Sequence, residues 1–262
     1  MSLINRAVKQ GVPPPPAKPA EVAKTERPRA ESLEQHIEQA PAVTTSVPDQ
    51  EVRLAVCVPC RDMIHTTFSH NLHSLLQYNW QKGIETKVFY NMSTLLQNQR
   101  EHLVNAARSW AATHILWLDS DMSFPFYTAY KLLDHKQPIV AGNYVTRQMP
   151  YKTVAYTKDG DWNSFITHSN NQPITKKLTE VECMGMGCML VDVQVYEKLT
   201  KPFFEIKYQA ESDDYLGEDV NFCNMARSKG FKIMVDDVIS RQLAHLGQFA
   251  FGHDLVNKQD NK

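Results

Sequence analysis

The chain has 262 residues, of which 42% are hydrophobic, with a formal net charge of −1 and a sequence pI near 6.8. No global basic field draws such a protein onto nucleic acid or anionic lipid. No apolar run approaches the roughly 20 residues that span a bilayer, and the N-terminus lacks the apolar stretch of a signal peptide, so a cytoplasmic protein is expected.

Residues 1–50 hold eight of the 14 prolines, including Pro13 to Pro16, and no aromatic residue or cysteine. That composition buries too little apolar surface to offset ordering entropy, so 1–50 reads as a disordered Pro-rich arm with at most a short helix near Glu31 to Ala40. Residues 51–252 suit one α/β domain, and 253–262 read as a tail.

The first strand signal is Arg53 to Val58, ending in Pro59-Cys60-Arg61-Asp62. A helical segment and a second strand, Thr86 to Tyr90, follow. In Asn98 to Trp110 the residues Leu103, Ala106, Ala107 and Trp110 recur at helical spacing, and the helix feeds into the apolar run Ile115-Leu116-Trp117-Leu118. The order is βαβαβ, which implies a parallel sheet with right-handed crossovers.

Asp119-Ser120-Asp121 comes directly after that run, just beyond the carboxyl end of a buried strand, where open α/β sheets bind ligands. Two carboxylates one residue apart can share a hard divalent cation with a diphosphate, because Mg²⁺ and Mn²⁺ prefer oxygen ligands and keep positions open for phosphates. A D-x-D by itself is also what a solvated turn contains, and its weight comes from what surrounds it.

Next come a strand at Pro138 to Ala141, then Gly142-Asn143-Tyr144 with Arg147 three residues later. The polar stretch 152–180 reads as a hairpin or a flexible loop. Cys183 to Val191 carries Gly185 and Gly187, glycines that allow close backbone approach or mark a bulge. Gly217-Glu218-Asp219 opens a helix whose acidic first turn complements the helix dipole. A strand at Phe231 to Val235 leads to Leu243-Ala244-His245-Leu246-Gly247.

Cys57-x-x-Cys60 and the looser pair Cys183 and Cys188 have spacings compatible with structural zinc. Cys57, however, falls inside an apolar strand, Cys60 at its exit and Cys223 on an apolar helix face, so free thiols are expected.

Taken in order, strand-Pro-x-Arg, a helix with Arg, an apolar strand, D-x-D, a Gly-rich strand, Gly-Glu-Asp and a late His resemble a metal-dependent glycosyltransferase of the GT-A fold, family 2-like, over about residues 53 to 250. The resemblance implies a Rossmann-like, mostly parallel sheet flanked by helices. It implies Mn²⁺ or Mg²⁺ held by Asp119, Asp121 and His245. Asp121 would be the direct ligand and Asp119 would contact the ribose or a metal-bound water, with His253 the understudy for His245.

By the same resemblance Pro59 and Asp62 shape the nucleobase pocket, Arg61 and Arg100 face the nucleotide or its phosphates, and the loop bearing Arg147 frames the sugar. Asp219 is similar to the general base and Glu218 to a residue that holds the acceptor. The implied donor is a UDP- or GDP-sugar, and the acceptor is a glycan, a protein or a modified DNA base, a format that suits a bacterial or phage enzyme. Two alternatives stand beside this reading. A nucleotidyltransferase would carry a Gly-rich basic loop after the first strand, which Pro59-Cys60-Arg61-Asp62 is not; a non-catalytic sugar- or protein-binding module would have no need of the intact D-x-D, Gly-Glu-Asp and His.

Overall fold

The computed structural model describes residues 51–159, 162–166, 177–247 and 250–253. The expected arm, 1–50, lies outside the described residues, as does the expected tail apart from His253.

Strand β1 (Arg53–Cys60) leads through an exposed loop into helix α1 (Thr66–Gln81), then β2 (Glu85–Met92), α2 (Leu96–Ser109) and β3 (His114–Leu118). The parallel pairings β1–β2 and β1–β3 establish the expected βαβαβ unit. The chain steps from β1 to one neighbour and then returns past it, so crossovers of one hand place α1 and α2 on opposite faces. Pro59 lies inside β1 and not at its end. A proline is tolerated there because pairing with β3 stops at Cys57, two residues earlier.

Beyond β3 come a short β4 (Met122–Ser123), α3 (Thr128–Asp134) and β5 (Ile139–Ala141). The hairpin β6 (Tyr156–Asp159) and β7 (Trp162–Phe165) occupies part of the polar stretch read as a hairpin or a flexible loop, and residues 167–176 lie outside the described residues. After β8 (Leu178–Val181), the Gly-rich segment enters β9 (Cys188–Asp192) and α4 (Val193–Lys198). A second hairpin, β10 (Lys207–Gln209) and β11 (Asp214–Leu216), precedes α5 (Glu218–Ser228). The described chain ends with β12 (Ile233–Asp236), α6 (Asp237–Ser240), β13 (Ala244–Leu246) and β14 (Ala250–Phe251).

The seven-stranded sheet has the order β2-β1-β3-β9-β5-β12-β8. β9 is antiparallel to both neighbours and β8 antiparallel to β12, while the other five strands share one direction. This is the Rossmann-like, mostly parallel architecture expected from the sequence. Among the described residues no helix is long and apolar enough to cross a membrane.

Period-2 alternation sorts the strand side chains into two cores. Ala55, Cys57, Ile115, Trp117, Ile139, Ala141, Met189, Val191, Ile233 and Val235 pack with Leu103, Val104 and Ala107 of α2 and with Tyr196, Phe222 and Cys223. Leu54, Val56, Leu116 and Val140 are equally buried on the alternate positions, which is why these strands read as continuous apolar runs. The indole N–H of Trp117 donates to the Tyr196 hydroxyl at 2.9 Å. Its ring meets Phe204 edge to face with centroids 5.5 Å apart, so the largest side chain of the central strand has no unpaired polar group.

A small separate sheet, β14-β13-β4, determines the placement of the site. β4 follows the D-x-D directly, and β13 pairs with it so that His245 lies opposite Met122. A residue 124 positions downstream of Asp121 is thereby carried to its side.

Tyr144 is packed just as tightly against the Gly-rich segment. Its hydroxyl accepts from the Gly187 N–H at 3.0 Å, and a Cβ on Gly187 would lie 2.8 Å from both the Tyr144 hydroxyl oxygen and Cζ. Gly187→Ala is therefore expected to cost about 1–3 kcal/mol by overpacking. Urea denaturation should show a lowered midpoint with an unchanged slope, and a midpoint equal to wild type would refute this account of Gly187.

Candidate active site

The site lies at the carboxyl ends of β1 and β3, the location open α/β sheets use. The Asp119 N–H donates to the Gly187 carbonyl at 3.1 Å and the Met122 N–H closes a turn on the Asp119 carbonyl at 3.0 Å. The D-x-D is thus a turn anchored by the Gly-rich segment. Its two carboxylates point to different partners.

Asp121 faces a late strand and a loop. Its Oδ2 lies 3.4 Å from His245 Nε2 and 3.0 Å from Arg147 Nη1. The Leu246 N–H donates to the Asp121 carbonyl, and Arg147 Nη1 also donates to the Leu246 carbonyl at 2.9 Å. Burial pushes the Asp121 carboxyl up, but the His245 hydrogen bond and the His245 and Arg147 charges outweigh it, and the net pKa is lowered.

The other ring nitrogen of His245, Nδ1, lies 3.2 Å from the Val145 carbonyl. A carbonyl only accepts, so Nδ1 carries the hydrogen and Nε2 turns its second valence toward the Asp121 carboxylate. In a neutral ring that valence is a lone pair facing an anion. Either a proton or a cation belongs between them, and a ring whose other N–H is held by a backbone carbonyl is the common second-shell arrangement of a metal-ligating histidine.

Asp119 turns the other way. Its Oδ1 is 3.0 Å from Arg100 Nη2, and Arg100 Nε is 3.5 Å from Glu218 Oε1. The Arg100 side chain is 2% exposed, its guanidinium carbon 5.3 Å from the centre of the Trp117 ring. Nε and Nη1 have no hydrogen-bond acceptor. Arg100 is therefore buried behind Asp119, whose side chain is the more exposed of the two.

Glu218 and Asp219 form the first turn of α5, with Gly217 as N-cap. The Asp219 carboxylate folds back to accept from the Val220 N–H at 2.7 Å. Gly217 makes room for this, since a Cβ there would lie 2.8 Å from Asp219 Oδ1. Withdrawal from water pushes the Asp219 carboxyl up and the neighbouring Glu218 charge adds to it, for a pKa of about 6 despite the Val220 hydrogen bond and the Arg100 charge.

The structure thus brings Asp119, Arg100, Glu218 and Asp219 into one charged cluster and Asp121 and His245 into a pair on the same D-x-D turn. It does not gather the expected metal set as a trio. Among the described residues no group of three or more His, Cys, Asp or Glu side chains is placed to hold a metal ion. Asp121 and His245 converge, while Asp119 engages Arg100. A pair of protein ligands completed by phosphate and water suits a cation that serves a substrate.

His253 is occupied elsewhere, its Nε2 being 2.9 Å from the Asn143 carbonyl. Pro59 is buried within β1, whereas Arg61 and Asp62 are exposed on the loop after it. That loop reaches the D-x-D through the His65 N–H, which donates to the Ser120 carbonyl at 3.3 Å.

The five cysteines are buried and form no disulfide. Cys57 contacts the Leu103 carbonyl and Cys60 the Asn91 carbonyl, so the C-x-x-C does not converge. Of the looser pair, Cys183 lies against Cys223 of α5.

Three residues make contacts at the site that their local sequence does not announce. Arg147 was placed only in a sugar-framing loop, yet it pairs with Asp121. Tyr144 packs edge to face on His245 with centroids 5.5 Å apart. Gln99 is buried and donates through Nε2 to the carbonyls of Cys60 at 2.6 Å and Ser93 at 2.7 Å, tying the loops after β1 and β2 together. The available signal for Gln99 is its place beside Arg100 in the first turn of the helix.

No family model and no curated protein matches this sequence. Among solved structures, A197 from STIV is 18% identical and aligns over 80% of this chain and 92% of its own, with a TM-score of 0.50. A glycosyltransferase involved in the glycosylation of the major capsid of PBCV-1 is 12% identical over 55% of this chain and 62% of its own, with a TM-score of 0.31, too distant to carry an argument. The first likeness bears on architecture alone, that of a Rossmann-like mixed α/β fold.

The raised Asp219 pKa has a sign that can be checked. The folded value of about 6 exceeds the ordinary 3.8, so the native state binds more protons than the unfolded state between those limits and loses stability as pH rises through them. Asp219→Asn removes that loss. Relative to wild type it should gain about 1–3 kcal/mol on going from pH 4 to pH 7.5 in urea denaturation, and a pH-independent difference would contradict the shift.

Proposed function

We propose that this protein is a divalent-cation-dependent glycosyltransferase that moves a sugar from a nucleoside diphosphate donor to an acceptor hydroxyl. The observation that carries the reading is the approach of Asp121 Oδ2 to His245 Nε2, 3.4 Å apart, with Nδ1 already committed to a carbonyl. Such a pair suits Mn²⁺ or Mg²⁺ with open positions for phosphate oxygens. When bound, the cation supplies charge stabilisation for a departing diphosphate.

The chain's own residues supply the rest. Asp119, in the turn held by Gly187, presents its remaining acceptor capacity to a ribose hydroxyl or to bound water. Arg147 is 43% exposed on its side chain, so its guanidinium can leave Asp121 for a phosphate. Asp219 receives the proton of the acceptor hydroxyl as its oxygen bonds to the anomeric carbon, while the bond from that carbon to the diphosphate oxygen breaks and its electron pair leaves with the diphosphate. This route inverts the anomeric centre. With a pKa of about 6 the carboxylate is about 90% ionised at neutral pH yet close enough to it to act as an effective base. Glu218 lies beside it on the acceptor side.

UDP- and GDP-sugars are the donors, and a glycan, a protein or a modified DNA base the acceptors, that this reading carries forward. The D-x-D and the α5 carboxylates separate in their expected effects. Asp121→Asn should abolish cation-dependent binding of UDP or GDP in calorimetry with Mn²⁺, since the lost charge is a ligand. Asp219→Asn should keep that affinity and lower kcat about 10²- to 10⁴-fold, since the amide holds its shape but takes no proton. Nucleotide binding that is insensitive to EDTA, or near-normal transfer by Asp219→Asn, would overturn the corresponding assignment.

A further inference from the structure

Arg100 is a buried side chain whose guanidinium reaches both the D-x-D turn and the start of α5. It bonds Asp119 of the D-x-D turn at 3.0 Å and reaches Glu218 of α5 at 3.5 Å, with its side chain 2% exposed. The other groups around it are Asp219 and Tyr144, which act on its charge from α5 and from the loop after β5, and the Trp117 ring beneath it. The fork is under-used, because Nε and Nη1 have no hydrogen-bond acceptor. A buried donor without an acceptor costs free energy, so the guanidinium gains whenever either carboxylate turns further toward it.

We propose that Arg100 is a positioning residue that couples the donor-side carboxylate Asp119 to the acceptor-side carboxylate Glu218, so that the state of one half of the cleft alters the other. The inference rests on the glycosyltransferase reading for its functional consequence, but the coupling itself is a property of the fold.

Asp119 and Glu218 draw on one fork. When a ribose hydroxyl or bound water takes up part of the Asp119 carboxylate, its hold on Nη2 weakens and the free Nε and Nη1 hydrogens turn to Glu218. That contact orders the first turn of α5, where Asp219 sits. Donor binding thereby prepares the acceptor side before the acceptor arrives. Linkage makes the effect reciprocal, so a change at Glu218 must alter donor affinity by the same factor as donor binding alters the Glu218 contact. Lysine in place of Arg100 keeps the charge but not the planar fork, so it no longer holds the two carboxylates in one fixed geometry.

The test uses the full chain and four proteins: wild type, Glu218→Gln, Arg100→Lys and the double variant. Calorimetry with UDP and with GDP, each with Mn²⁺, should show Glu218→Gln changing Kd about fivefold in the Arg100 protein and less than about twofold in the Arg100→Lys background, within the range measured for coupled contacts. Arg100→Lys should also leave the donor KM closer to wild type than kcat, a split that simple loss of packing would not produce. An unchanged Kd on Glu218→Gln with Arg100 present overturns the coupling.

Should neither nucleotide bind wild type, the glycosyltransferase reading fails and the coupling is decided by stability. A double-mutant cycle of Asp119→Asn and Glu218→Gln in urea should be non-additive by about fivefold or more in the unfolding constant with Arg100 and additive with Arg100→Lys. Additivity in both backgrounds overturns the proposal.

Discussion

The cleft depends on one buried positive charge. Asp119, Glu218 and Asp219 are contributed by a strand exit and a helix start far apart in sequence, and without Arg100 they would face one another across a space from which water is largely withdrawn. Removing one partner of a buried charge cluster commonly costs about 3–5 kcal/mol because the remaining charges stay behind uncompensated. The position of α2 follows from this requirement. Leu103, Val104 and Ala107 pack the helix on the sheet, and the turn before them carries Gln99 and Arg100 under the two loops that form the cleft.

A second constraint is the seam between β4 and β13. Two residues of ladder suffice to bring His245 to Asp121, because the seam is reinforced at its end by the Leu246 N–H, which donates to the Asp121 carbonyl, and by Arg147, which bonds the carboxylate and the Leu246 carbonyl together. The same loop carries Tyr144, whose ring lies against His245 and whose hydroxyl is held by Gly187. The Gly-rich segment therefore acts on both carboxylates of the D-x-D, on Asp119 through its backbone and on the Asp121 partner through Tyr144.

The frame was legible where one physical signal dominated. The apolar runs of β1 and β3, the 3.6-residue spacing around Leu103 and Ala107, and the acidic first turn of α5 each define an element locally, and the chain folds as they indicate. What escaped was tertiary. Nothing near Arg147 announces Asp121, and nothing near Cys183 announces Cys223, because those contacts exist only once β5, β9 and α5 are stacked side by side. Arg100 is the instructive case, since its helical phase with Leu103 and Ala107 already pointed it at the sheet, but its burial beneath Asp119 depends on where α5 ends up. Pro59 shows the reverse: a residue that reads as a strand terminator stays inside the strand because the neighbour on one side has stopped pairing.

The Asp219 environment shows why such a site is assembled from conflicting local preferences. A carboxylate at a helix N-terminus, hydrogen-bonded by a backbone N–H, would ordinarily have a depressed pKa and stabilise the fold at neutral pH. Here desolvation and Glu218 reverse the sign, and the value stands at about 6. The helix start is therefore less stable at pH 7 than its sequence suggests, and the compensation comes from elsewhere: from the aromatic packing of Tyr196, Phe204 and Phe222 beneath α5 and from the buried guanidinium beside it. Natural sequences break their own local rules mainly where function requires it. A carboxyl with a raised pKa at a helix start, beside Glu218 and within the field of the Arg100 guanidinium, is an arrangement that stability alone would not select.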